Sequence, residues 1–373
     1  MKIQLATLLA IMAAFAASAA QPLIPEYPTL DDERSFSMIV ISDPQSYVKF
    51  AANQPLFELQ TAWTAQNLDR LNIAAVLFTG DMVEQNNSPE AVGLPHYYNG
   101  DCSSSAQWEA VDRALTRLDH RVPYMICQGN HDAGYVSSES RISSLPEVYY
   151  PERNVKFQST LVSTAPNYTG IHTMENAAFE LDCPNWGKLL IVNWEFSPRD
   201  EVLHWTRDLI ESDRFKDHRV IILTHSFIEY DNQIFAEEGY SLQPRNWPQA
   251  VWDKLIAPSH NIDLIVCGHA GIPPKIPEGT TSTDQIDYSV TRGFRTQLAD
   301  DGRQIPIMMF NAQAADGEWH GNGGDGWLRI LEFKPDGHTV AVKTFSPLFA
   351  LSKLTRHLSY RTAPTDQFEF QVP

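Results

Sequence analysis

The chain has 373 residues, room for about two average domains or one large one. It is 43% hydrophobic and 20% charged, which supports a sizeable core and excludes disordered and collagen-like classes. Its 46 acidic residues against 28 basic leave a net charge of −18. That field repels phosphate backbones, so no nucleic-acid partner is expected, although a small phosphorylated substrate held by metal is compatible with it.

Residues 1–20 read MKIQLATLLAIMAAFAASAA: one lysine, an apolar run, then small residues. This is the layout of a secretory signal peptide, cleaved after Ala19 or Ala20. An apolar stretch of about 15 residues is short for a bilayer, and no other stretch is long and apolar enough. The expectation is a periplasmic or secreted protein with no membrane span after cleavage. Export permits disulfides, and the four cysteines allow three pairings. Cys102 and Cys183 lie in polar, turn-rich surroundings and are the expected pair; Cys127 and Cys267 lie in apolar runs and read as small core residues.

Short apolar, β-rich runs recur along the chain, and each leads into polar residues. Ser37–Ile41 leads into Asp43-Pro44-Gln45, Ala74–Phe78 into Gly80-Asp81, and Pro123–Cys127 into Gly129-Asn130-His131-Asp132. Leu189–Val192 leads into Asn193-Trp194-Glu195, Arg219–Leu223 into Thr224-His225, and Ile262–Val266 into Gly268-His269. Apolar runs of about five residues suit strands buried on both faces. Between them, Pro55–Leu71 carries Leu56, Leu59, Trp63, Leu68 and Leu71 near one helical stripe, with Pro55 suited to a first helical position. Residues 105–118 and 200–211 are patterned alike. Strands alternating with helices predict an α/β sheet whose ligands gather at the carboxyl ends of the strands. From about residue 305 strands follow without helices (Ile305–Asn311, Gly326–Phe333, Thr339–Phe345), predicting a second, antiparallel sheet packed on the first. We expect one domain over residues 36–372, ending in an antiparallel β portion.

A lone Asp after a strand is most often a turn or cap residue, and a lone His is most often structural. Five strand ends bearing Asp43, Asp81, Asn130-His131, His225 and His269 are hard to attribute to chance. Carboxylate, imidazole and amide oxygen together suit Zn, Mn or Fe. A serine hydrolase is disfavoured by the lack of a G-x-S-x-G elbow.

The ordered run resembles the calcineurin-like metallophosphoesterase superfamily, whose motifs are D-x-H, G-D-x-x-D, G-N-H-D/E, a lone His and G-H-x-H. Here they stand as Asp43-Pro44-Gln45, Gly80-Asp81-Met82-Val83-Glu84, Gly129-Asn130-His131-Asp132, His225 and Gly268-His269-Ala270-Gly271. Residues 322–329 and 344–347 resemble the C-terminal sheet of secreted bacterial members. The resemblance implies two mixed β-sheets sandwiched between helices, and two metals about 3.5 Å apart sharing one carboxylate. Carried over by position, Asp81 bridges, and Asn130, His225 and His269 complete one site. The other takes Asp43, Gln45 and Asp81, and lacks its last donor because Gly271 stands where the motif has His.

The implied cofactors are therefore divalent Mn, Fe or Zn, one held tightly and one weakly, with the depleted site favouring harder ions such as Mn or Mg. Glu84, in place of the second Asp of G-D-x-x-D, is expected beside the ligands. The implied function is hydrolysis of a phosphoester by metal-activated water, with His131 as general acid oriented by Asp132, unless Asp132 is instead a helix N-cap. The rival is a degenerate member that binds one metal or a phosphorylated ligand without turnover. His96, His172 and His320 read as ordinary surface residues. Long loops at 84–105, 134–170 and 228–250, rich in aromatics, Asn, Pro and Ser, are expected to shape the pocket.

Overall fold

The computed structural model describes residues 27–88, 100–229, 231–271, 292–313 and 322–373. The expected signal peptide, His96 and His320 lie outside them. Among the described residues, no helix is long and apolar enough to cross a membrane.

The apolar runs form strands close to where the sequence places them. Phe36–Ile41 (β1), Ile73–Phe78 (β2) and Tyr124–Ile126 (β3) pair in parallel. Leu161–Pro166 (β4) and His172–Cys183 (β5) form an antiparallel pair, and β5 is followed by Gly187–Asn193 (β6), Arg219–Leu223 (β7) and Ile262–Cys267 (β8). Arg292–Leu298 (β9), Gln304–Phe310 (β10), Leu328–Phe333 (β11), Thr339–Phe345 (β12), Tyr360–Arg361 (β13) and Phe368–Gln371 (β14) complete the set. One sheet runs β13-β12-β11-β1-β2-β3, with β14 also on β12; the other runs β4-β5-β6-β7-β8-β10-β9. Both are mixed, as the resemblance implied.

The expectation of a separate C-terminal antiparallel sheet is corrected. β10 adds in parallel to β8, whereas β11 and β12 extend the first sheet, β11 antiparallel to β1. Every residue of β11 is buried, including Arg329 and Glu332, so the run needs neighbours on both edges and finds them in β1 and β12.

Alternation along the second sheet shows why the layers form. Leu189, Ile191, Ile221 and Leu223 join the core shared by both sheets. Their neighbours Leu190, Val192, Val220 and Ile222 face Val202, Leu203 and Ile210 of helix Asp200–Ile210. Helix Gln54–Gln66 packs on the first sheet, Phe57 against Phe78 and Trp63 against Phe345. With helix Ser104–Thr116 also in that core, the arrangement is two sheets between helices. Met308, fully buried in β10 at the junction of the sheets, tests packing alone. Met308→Ala should cost about 2–5 kcal/mol in denaturant unfolding while leaving the metal content of the purified protein unchanged.

All four cysteines are buried and unpaired, which corrects the expected Cys102–Cys183 bond. Cys102 sits beside Gln54 at the start of one helix, and Cys183 ends β5 against Gly187; the turn-rich sequence around each marks an element boundary, not a shared one.

Candidate metal centre

The parallel strands of each sheet end at one edge, and the strand-end residues meet there. Three of them leave their strands through backbone that L-residues seldom adopt: Asp43 at φ +37°, Asp81 at +50° and His269 at +65°. Such conformations persist only where their surroundings fix them. Asp43 accepts from Thr79 Oγ1 (2.9 Å) and from the His269 backbone N–H (3.0 Å), tying β1 to β2 and β8. Asp81 Oδ1 accepts from the His131 N–H at 2.9 Å. Gly268 is required by close approach, because a Cβ there would lie 2.3 Å from Asp43 Oδ1 and 2.4 Å from Thr79 Oγ1.

The donors converge on one point. His225 gives its Nδ1–H to the Thr79 carbonyl (2.6 Å), which aims Nε2 inward. Around that Nε2 lie Asn130 Oδ1 at 2.9 Å, His269 Nδ1 at 3.0 Å and Asp81 Oδ2 at 3.2 Å. Ligand atoms of Asp81, His225 and His269 all fall within 4.8 Å of one another. These are the four residues the resemblance assigned to one site. Gln45 is buried beside them with Oε1 lacking a hydrogen-bond partner among the described residues, and it lines the same cleft as Asp81, Asn130, His131, His269 and Gly271. An orphaned buried oxygen next to carboxylate, amide and imidazole donors fits divalent cations.

Burial and neighbouring charges act against each other in this cluster. Burial pushes the Asp43 carboxyl up to about 7, with Asp81 adding repulsion against the pull of His225. Burial also raises Asp81, but the imidazoles of His225, His131 and His269 outweigh it and hold the carboxyl well below its usual range. For His225, burial disfavours the charged ring, yet Asp81 and Asp43 reverse this and raise it to about 10.

His131 lines the cleft, and its Nδ1 lies 2.6 Å from the Glu84 carbonyl oxygen. That contact, not Asp132, orients the ring. The Asp132 carboxylate accepts instead from the Gly129 and Val83 N–H groups (2.8 and 3.2 Å), clasping the ends of two strands' loops. Turns follow it rather than a helix, so the cap alternative is corrected too. The Glu84 carboxylate pairs with the buried Lys49 at 3.1 Å, so the residue serves His131 through its backbone. His172 stands at the exposed start of β5, bonded to Thr164.

Sequence reasoning missed Glu238, whose Oε2 lies 2.9 Å from His269 Nε2 while Ser226 donates to its Oε1 at 2.8 Å. A carboxylate beside the outer nitrogen restrains the orientation of the ring. It also missed Asn311, which donates to the His269 carbonyl at 2.8 Å, and Ser137, which accepts from Asn130 Nδ2 at 2.9 Å. Asn311 had a signal, since it follows β10 as Asp43 follows β1. Glu238 and Tyr240 had one only in the length and aromatic content of the 228–250 loop.

A family model described as calcineurin-like phosphoesterase matches residues 36–273. The chain is 23% identical over 323 residues to the uncharacterized protein YvnB of Bacillus subtilis (strain 168), covering 86% of this chain and 20% of that protein. It thus spans a fifth of that relative's length. Among solved structures, a dimetal phosphatase from Danio rerio is similar at 12% identity and TM-score 0.42, covering 84% of this chain and 96% of that one. A structure of PhoD is similar at 9% identity and TM-score 0.42, covering 91% and 74%.

Proposed function

We infer a function for this chain, which belongs to the calcineurin-like phosphoesterase family: it is a metal-dependent hydrolase of small phosphoesters. The observation that carries this reading is the approach of Asp81, Asn130 and His269 donor atoms to within 3.2 Å of His225 Nε2. Asp81, Asn130, His225 and His269 would hold one divalent ion, and Asp43, Gln45 and Asp81 a second. When bound, such ions lower the pKa of water and neutralise phosphoryl oxygens.

The chain's own residues do the rest. The Glu84 carbonyl accepts a hydrogen bond from the His131 Nδ1–H, leaving Nε2 as the atom that would protonate the leaving oxygen. Asp132 keeps the two loops in register, and Glu238 and Thr79 hold the inner nitrogens of His269 and His225 toward the centre. Hydrolysis of p-nitrophenyl phosphate and bis(p-nitrophenyl) phosphate with added Mn or Zn tests the reading, and chelation should abolish it. The signal-like residues 1–20 support action outside the cytoplasm.

Gly271 favours the second reading, binding without turnover, because it removes one imidazole from the Asp43–Gln45 side. On either reading the protein should purify with nearer one metal than two; only on the hydrolase reading should phosphoester turnover appear and rise with added Mn. Gly271→His should raise occupancy of the second position. Two tightly held metals in the unmodified protein would overturn the single-tight-site assignment.

Loading should also depend on pH. The metal-free protein carries protons on His225, raised to about 10, and in part on Asp43, raised to about 7. Ligation needs both deprotonated, so apparent affinity should rise with pH between 6 and 8. Calorimetry in buffers of different ionisation enthalpy should show protons released on binding.

A further inference from the structure

Resting on the phosphoesterase reading, we propose that the substrate's alcohol portion carries a positive charge, as in a phosphoester of an amino or quaternary ammonium alcohol. The same cleft that presents Asp81, Asn130, His131 and His269 is walled by Glu229, Phe235 and Tyr240, all from the segment that follows β7. No lysine or arginine is among its described lining residues.

Phe235 and Tyr240 are fixed next to the donor cluster, their ring centroids 5.8 and 6.0 Å from that of His269. A phosphoryl group seated at the centre therefore places its ester substituent within reach of two aromatic rings and a carboxylate. Glu229 is half-buried and has no cationic partner among the described residues; burial and the neighbouring Asp231 and Glu238 push its carboxyl up from its ordinary value. A bound ammonium would relieve that repulsion.

The physical consequences separate substrate classes. An ammonium gains cation–π attraction from the rings and an ion pair with Glu229 in a partly desolvated setting. A second phosphate or a carboxylate on the substrate is repelled by Glu229 at that wall, where no lysine or arginine is among the described lining residues. The net charge of −18 works the same way at long range, drawing cations toward the protein.

The test compares isosteres that differ in one atom. Choline phosphate and 3,3-dimethylbutyl phosphate have the same shape, with nitrogen or carbon at the branch. The Mn-loaded full chain should cleave the cationic ester with kcat/KM about tenfold above the neutral one, and the p-nitrophenyl diesters of the same two alcohols should rank alike. Glu229→Gln should bring the ratio to within about twofold, and the ratio should shrink as salt is raised. Glu237→Gln, exposed on the same loop and not lining the cleft, should keep it. Equal rates for the isosteres in the unmodified protein, or a ratio that survives Glu229→Gln, would overturn the inference, even with p-nitrophenyl phosphate still cleaved. If no phosphoester is cleaved, the phosphoesterase reading itself fails. The charge preference is then read from calorimetric binding of the two isosteres, where equal affinity overturns it.

Discussion

Asp81→Ala is expected to reduce phosphoester hydrolysis at least about 10³-fold, because on the proposed assignment the lost carboxylate is the one donor common to both metal positions and such charge stabilisation is worth several kcal/mol. Asp81 Oδ2 lies 3.2 Å from His225 Nε2 and Oδ1 holds the His131 N–H, so the substitution removes an anionic ligand and loosens the loop of the general acid together. Packing is spared, since the side chain faces the donor cluster rather than either core. Asp81 sits at φ +50°, where alanine carries strain of about 1–2 kcal/mol. Asp81→Gly therefore serves as the companion variant that relieves the backbone. Both should unfold cooperatively, and both should lose metal on dialysis. His225→Ala should behave in the same way. Full turnover by Asp81→Gly would refute hydrolysis at this centre.

His131→Asn should lower turnover by roughly 10²–10⁴-fold on an alkyl phosphate, the range for loss of a general acid. On an aryl phosphate the loss should be far smaller, since phenolate departs with little protonation. Metal content should not change, because the His131 ring bonds to the Glu84 carbonyl and not to the four converging donors. Equal losses on both substrates would assign His131 to orienting the site. Burial disfavours the His131 imidazolium, but Asp81 and Glu84 outweigh it and raise its pKa above the ordinary value. In the metal-free protein the acid form is therefore retained to higher pH than for a free histidine, and titration of the His131 ring by NMR before metal is added checks it.

The strand ends were legible in the chain because each of their runs is apolar on both faces and stops at a polar residue, a pattern that survives in one dimension. Ile262–Cys267 followed by Gly268-His269 is such a case: the run demands a buried parallel strand, and parallel strands deliver their ends to one edge. Other features left no such mark. β10 and β11 look alike as short apolar runs, yet one joins β8 and the other β1; partner choice depends on which edge is left unpaired after the rest has assembled.

Asp132 follows the proposed acid directly in sequence, which suggested that it orients the ring. Only the folded backbone shows its carboxylate closing on the N–H groups of Gly129 and Val83 while the Glu84 carbonyl takes His131. Glu238 lies 31 positions before His269 in the chain and 2.9 Å from it in space. What the chain determined by itself is the order of strands and the donor types at their ends, because hydrophobic periodicity and backbone direction are local. Tertiary structure decided the pairing of the last strands, the partner of each donor and the acidic, aromatic wall of the cleft. Those depend on contacts between segments far apart in sequence, which no local pattern encodes.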